Sequence, residues 1–401
     1  MKKLVLALVF ATCIPALPAQ AEETVIRLWH SYTAGEREAL DSIVKKFDDS
    51  NNSLRIEASF VPFNALADKL TAAIPRGHGP DLFIFAHDRI GGWAEGKLLE
   101  PIELLVTEEQ LDRHLTSCVF ALAYGDSLYG LPLAFKALAL FTRTDKIKAP
   151  PKTSDELVEL AKAHTNKEKG EFGFVYPAGD FFFHTPLLYS MNGSIFPKNS
   201  KTPDVNNAGV AESLRTAKRI KDLNVLPDDP TPVVASSMFV SGRTPMIING
   251  PWFLDTVQGK VPFQVSAIPP FFEGRAASGF SSCEGVFMSR QSKHKRAAFE
   301  LMTHLADDAE AAAARMMQGK QTVTLNEAWD RVLPQLSENT KQIYSAFRDA
   351  FENSNPSPSF PNMNAVWGPM NAALYNTLHK GAAPKDAAAD AQKRIMKALN
   401  K

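Results

Sequence analysis

Asp88 and Arg89 form an unlike-charge pair within the stretch Gly79-Pro80-Asp81-Leu82-Phe83-Ile84-Phe85-Ala86-His87-Asp88-Arg89-Ile90-Gly91-Gly92. The apolar run Leu82 to Phe85 reads as a short strand, and the pair follows it closely, ahead of a glycine doublet. In open α/β sheets, ligands gather outside the carboxyl ends of the strands. A carboxylate and a guanidinium placed there can grip a polyhydroxylated molecule through charge-assisted hydrogen bonds. An Asp-Arg dipeptide after a strand is more often a loop ion pair or a cap, so the reading takes its weight from the rest of the chain.

Aromatic residues beside turns are the second signal. Trp252 ends Asn249-Gly250-Pro251-Trp252, just beyond the apolar run Met246 to Ile248. Phe181-Phe182-Phe183 follows Asp180, and Trp367 closes Pro361-Asn362-Met363-Asn364-Ala365-Val366-Trp367. A sugar offers an apolar C–H face with a rim of hydroxyls. Flat rings match the face, while Asp, Arg and Asn match the rim. A single aromatic is more often core; several beside turns and charged partners shift the balance.

The familiar catalytic signatures are missing. There is no P-loop, no GxGxxG after a strand, no HExxH and no GxSxG, which disfavours nucleotide chemistry, zinc hydrolysis and serine hydrolysis. No two histidines share helical i, i+4 spacing, so they read as surface or hydrogen-bonded structural residues. No cysteine spacing suggests a metal site, and no cofactor is expected. Cys118 and Cys283 could form one disulfide, but two buried free thiols are the expectation.

The elements that must position these residues follow an α/β pattern. Val25 to Trp29 reads as a strand. Leu40, Ile43, Val44 and Phe47 then recur as the core face of a helix. Leu54, Ile56, Ala58 and Phe60 alternate as a second strand, and Asn64 to Ile74 looks helical before the strand ending at Phe85. Further strands are expected at Leu138–Thr142, Met246–Ile248 and Phe263–Ile268. A capping box at Thr153-Ser154-Asp155-Glu156 should open a helix. Ala298, Leu301, Met302 and Leu305 mark another, and Asp386 to Leu399 a last one. Asn353 to Ser359 is the extended loop.

The chain has 401 residues, beyond the size at which one core keeps growing, so two lobes are expected. Lys2-Lys3, the apolar run from Leu4 to about Ile14 and Ala19-Gln20-Ala21 fit a cleaved secretory signal. Lys plus Arg and Asp plus Glu each number 44; losing Lys2 and Lys3 leaves a slight acidic excess. That balance disfavours nucleic acid as a partner.

His87-Asp88-Arg89-Ile90-Gly91-Gly92-Trp93, Pro132-Leu133-Ala134-Phe135-Lys136-Ala137-Leu138, Ile248-Asn249-Gly250-Pro251-Trp252 and Ala391-Gln392-Lys393-Arg394-Ile395 together resemble the periplasmic maltose/maltodextrin-binding proteins. These are extracellular solute-binding proteins of ATP-binding cassette (ABC) sugar importers. The order and spacing hold from Trp29 to Ile395, and the first and third strings are the most specific. The resemblance implies a two-lobed periplasmic-binding-protein fold, α/β in class, with a hinge and an interlobe ligand cleft. After a signal peptide at 1–21, it implies an N-terminal lobe of 22–134 plus 286–332. The C-terminal lobe would be 139–280 plus 339–401, with hinge segments near 134–138, 281–285 and 333–338. It also implies a monomeric, non-enzymatic receptor that captures an oligosaccharide in the periplasm and hands it to an ABC-transporter permease.

Residue by residue, the resemblance gives Asp88 and Arg89 the sugar hydroxyls, and Trp252 and Trp367 the stacking faces. Phe85 stands where the family has a tryptophan, Asp180 for a binding glutamate and Phe182 for a tyrosine two positions on. Asp68 lies where an acidic cleft residue is expected. Three positions depart from the pattern. Lys136 replaces a glutamate near the first hinge, Gly368 a tyrosine beside Trp367, and Asn371 an arginine. The polar rim therefore differs, which leaves another di- or oligosaccharide open, and Lys136 leaves room for a charged sugar. Two rival readings are a non-sugar solute such as a polyamine, metal chelate or peptide in the same fold, and an exported glycoside hydrolase or lyase. The latter needs two facing carboxylates about 5–10 Å apart.

Overall fold

A computed structural model describes residues 23–400, and the secretory signal expected over 1–21 lies outside the described residues. Strands β1 Thr24–His30, β2 Leu54–Phe60 and β3 Leu82–Ala86 alternate with the helices Ala34–Ser50 and Phe63–Ala73. This is the expected β-α-β-α-β opening. β1 lies between β2 and β3 and is parallel to both. The helix Ala34–Ser50 buries Ala39, Leu40, Ile43, Val44 and Phe47, a stripe set by 3.6-residue periodicity. In β3, Leu82 to Phe85 are all buried, as in parallel strands covered on both faces. Edge strand β2 behaves differently. Ile56 points into the core, but Phe60 at the strand's end is 42% exposed.

A short hairpin of β4 Ala123–Tyr124 and β5 Ser127–Leu128 leads into β6 Gly130–Ala137. Then β7 Ala139–Arg143 begins after Leu138 alone, yet in another sheet. There β7 is flanked antiparallel by β8 Met246–Asn249 and β9 Phe263–Ser266. The chain returns to the first sheet as β10 Phe280–Met288, antiparallel to both β3 and β6. Every residue of β10 is buried. The segment read as an extended loop contributes β11 Asn355–Pro356, parallel to the start of β10. The result is one mixed sheet of six strands and one of three, each wrapped by helices.

The helix expected after Pro151 starts at Ser154, with Thr153 Oγ1 accepting the Glu156 N–H at 3.2 Å. Only half of the capping box forms, because the Glu156 carboxylate takes the Lys152 N–H instead. The Ala298, Leu301, Met302 and Leu305 stripe is buried as expected.

The cysteine expectation is overturned. Cys118 and Cys283 form a disulfide across 165 residues of sequence, with Cα atoms 5.3 Å apart. Packing of the helix Thr116–Ala121 against β10 brings them together, and no local pattern encodes that contact. Among the described residues, no helix is long and apolar enough to cross a membrane.

Candidate ligand-binding cleft

Beyond the carboxyl end of β3 the chain tightens into a 3₁₀ turn, His87–Arg89. Asp88 and Arg89 pair there, Oδ2 to Nε at 3.3 Å. Burial pushes the Asp88 carboxyl above its ordinary range, and Arg89 only partly offsets that. His87 beneath them is 3% exposed. Its Nδ1 accepts the Cys283 N–H and its Nε2 faces the Ser357 carbonyl, both at 2.9 Å. Those partners specify a neutral ring with the proton on Nε2, and burial lowers its pKa. The turn that carries Asp88 is thereby fastened to β10 and to the chain after β11.

The glycine doublet has a steric reason. A Cβ on Gly91 would lie 2.1 Å from the Ser359 carbonyl oxygen, and one on Gly92 would lie 2.9 Å from Asn364 Nδ2. The bare backbone of Gly91 instead donates to Ser359 O at 3.0 Å. This close approach lets Arg89 Nη1 reach Asn364 Oδ1 at 2.6 Å. The charged pair thus touches the 3₁₀ turn Pro361–Ala365, two residues before Trp367.

The second group assembles on the helix Phe181–Ser190. Asp180 is its N-cap and accepts the Phe182 N–H at 2.9 Å, satisfying one of the donors a helix start leaves free. Asn371 accepts the Phe181 N–H at 2.8 Å. Burial raises the Asp180 carboxyl, against the pull of the Phe182 and Phe183 N–H groups. Consecutive residues of this first turn then hold the two tryptophans. Phe181 meets Trp367 edge-on at 5.9 Å between centroids, and Phe182 meets Trp252 at 6.1 Å. Phe183 adds an edge contact to Trp252, and Phe280 adds one to Trp367. Both indoles remain partly exposed.

Asp88 and Arg89 thus form one contacting group that reaches Asn364, while Asp180, Phe182, Trp252, Trp367 and Asn371 form a second around the start of the helix Phe181–Ser190. The other three candidates are placed differently. Asp68 is exposed on the helix Phe63–Ala73, without an ion-pair partner among the described residues. Phe85 is only 4% exposed, sealed beneath Phe63 in a parallel stack at 5.1 Å and 5°. A ring so covered has no free face, since Phe63 stacks on it and Trp93 meets it edge-on at 5.2 Å.

Lys136 also departs from the lone reversed charge read from sequence. Its Nζ lies 3.4 Å from Glu36 and 3.3 Å from Glu284, and Tyr32 donates to the Glu284 carboxylate. Burial pushes the ammonium pKa down, but the two carboxylates outweigh it and the net shift is upward. Burial raises Glu36, with Lys136 opposing. A lysine already neutralised by two acids offers little to an anionic sugar. Sequence reasoning missed Glu36, Glu284, Tyr32 and Asn364. Of these, only Asn364 carried a signal, lying inside a string singled out for Trp367.

A further contact joins the elements of the two sheets: Asp255, just past Trp252, accepts the Gly35 N–H at 3.1 Å. A hollow of about 630 Å³, lined by Glu100, Leu104, Leu105, Arg290 and Lys295 among others, takes in none of the candidate residues. The contacts above, rather than that hollow, mark the candidate site.

The chain is similar to several known proteins. A maltotriose-binding protein of Pyrococcus abyssi is 26% identical, with 88% of this chain and 77% of that protein aligned. A galactooligosaccharide-binding protein of Bacillus subtilis is 24% identical over 91% of this chain and 87% of its own. The structure of the Thermus thermophilus maltotriose-binding protein bound with maltotriose superposes with a TM-score of 0.86 at 26% identity. It covers 93% of this chain and 100% of the Thermus chain, so the two-lobed solute-binding fold is shared. The sequence profile described as bacterial extracellular solute-binding protein matches residues 42–340, and the chain belongs to that family.

Proposed function

We propose that this protein is the periplasmic receptor of an ABC importer for maltose- and maltodextrin-type oligosaccharides. The observation that carries the reading is the first turn of the helix Phe181–Ser190, which fixes Trp252 and Trp367 through adjacent phenylalanines. The same turn carries a capping carboxylate, Asp180. Indole faces take the apolar faces of glucosyl units, and Asp88, Arg89 and Asp180 take the hydroxyls. The maltotriose bound by the Thermus relative supports an α-glucan. The galactooligosaccharide-binding relative keeps a second oligosaccharide class in view, as does open space beside Trp367, where a Cβ on Gly368 would meet nothing within 4 Å.

We place the lobes at 22–134 plus 286–332, which holds β1, β2 and β3, and at 139–280 plus 339–401, which holds β7, β8 and β9 and also lends β11 to the first sheet. The passage at Leu138 between β6 and β7 supports a hinge at 134–138, and the entry into β10 supports one at 281–285. The third, at 333–338, lies between helices that share one apolar cluster, Trp329 and Val332 with Ile343 and Phe347. Closure about these segments brings Asp88 and Arg89 onto a ligand resting on the tryptophans, a hinge transition biased by contacts to both lobes. The protein acts as a secreted monomer, and the permease is its membrane partner.

Intrinsic tryptophan fluorescence titrated with maltose, maltotriose, maltotetraose and galactooligosaccharides tests this. Saturable quenching or enhancement by the maltodextrins supports the reading. A flat response to all four, checked by calorimetry, rejects it.

A further inference from the structure

We infer that Phe63 supplies a third sugar-stacking face, on the side of the cleft that carries Asp88 and Arg89; this rests on the oligosaccharide reading above. Phe63 is the first residue of the helix that follows β2, so it stands just beyond the carboxyl ends of the parallel strands β2, β1 and β3. That edge is where open α/β sheets receive ligands. The ring is 54% exposed, whereas Phe85 beneath it is 4% exposed.

The two rings are nearly parallel, at 5° and 5.1 Å, and Phe85 is itself pinned edge-on by Trp93 at 5.2 Å. Phe63 is thus a flat apolar plate with one face bonded to the core and the other open. A plate held this way costs little entropy to order when a ligand lands on it. Phe85 lies only three residues before Asp88, so the open face sits over the strand that delivers the Asp88–Arg89 pair. For Phe63 to act in this way, a pyranose whose hydroxyls reach that pair must lay its C–H face on this ring. The ring that faces sugar here therefore comes from the helix Phe63–Ala73, not from β3.

The experiment compares Phe63→Leu, Phe63→Trp and Phe120→Leu with the unaltered protein by calorimetric titration of maltose, maltotriose and maltotetraose. Leucine still covers Phe85 but has no flat face. Phe120 is 73% exposed on the helix Thr116–Ala121, which is not among the cleft elements. An aromatic stack is worth about 0.5–1.5 kcal/mol beyond area burial, or about two- to tenfold in affinity. Phe63→Leu should weaken the longest bound sugar by about fivefold while staying folded at the titration temperature, its melting temperature falling only by the loss of the Phe63–Phe85 stack. Phe63→Trp should match or exceed the parent, and Phe120→Leu should bind as the parent does. Parent-like binding of all three sugars by Phe63→Leu overturns the inference, while the oligosaccharide reading stands if Trp252→Ala still loses affinity. A parent protein that binds none of the sugars overturns both.

Discussion

Replacing Trp252 by alanine tests the tryptophan platform most directly. Trp252 is partly exposed on the 3₁₀ turn Pro251–Phe253 after β8, and its indole is braced by Phe182 at 6.1 Å and Phe183 at 6.4 Å. The exposed face is the part available to a sugar. Truncating an aromatic anchor at a well-packed binding site costs about 2 kcal/mol or more, so affinity should fall by more than about tenfold. The two braced contacts are lost as well, at about 0.5–1.5 kcal/mol each in fold stability. Trp252→Ala should therefore melt earlier than the parent while remaining folded at 20 °C. The assay is calorimetric titration with maltotriose at that temperature, alongside near-ultraviolet circular dichroism to confirm the fold. Trp252→Phe, which keeps a smaller flat ring, should recover part of the affinity. A folded Trp252→Ala protein with a Kd within twofold of the parent would show that the indole packs the core and nothing more.

Gly91→Ala forces a Cβ to within 2.1 Å of Ser359 O, so the 359–364 segment must shift; we expect about 1–3 kcal/mol of lost stability and weaker sugar binding through the Arg89–Asn364 bond, and unchanged melting and Kd would refute the steric account. The disulfide closes a 165-residue separation, so a Cys118→Ala/Cys283→Ala double variant should lose about 2–5 kcal/mol, read from urea midpoints; an unshifted midpoint would count against it. Burial lowers His184 from 6.5 to about 3. The unfolded ring takes up its proton first, so this residue's contribution to stability should decline as pH falls from 6.5 towards 3, by about 1.4 kcal/mol per unit. His184→Gln should remove that slope, and parallel pH profiles for the two proteins would refute the assignment.

The raised carboxyls act in the opposite sense. Asp88, Asp180 and Glu36 are all pushed up mainly by burial, so each binds protons in the folded state before the unfolded one does. Their contributions favour folding as pH drops below the folded values. The buried histidines and these carboxyls therefore pull stability in opposite directions as pH falls.

Much of the architecture was legible along the chain because it depends on neighbours a few residues apart. The 3.6-residue stripe of Leu40, Ile43, Val44 and Phe47 marked the core face of a helix, and Thr153 marked a helix start. Short apolar runs marked β3 and β8, and turn residues beside Trp252 and Asp88 pointed to a binding edge. Contacts between distant segments were not legible. Whether Cys118 meets Cys283, whether Lys136 stands alone or between Glu36 and Glu284, and which of Phe63 and Phe85 faces water all depend on packing. Periodicity says that a ring lies on one side of a strand; only the neighbouring helix decides whether that side is covered. Local pattern thus specified the elements and their order, and the meeting of remote side chains in three dimensions chose the surfaces that remain free to bind.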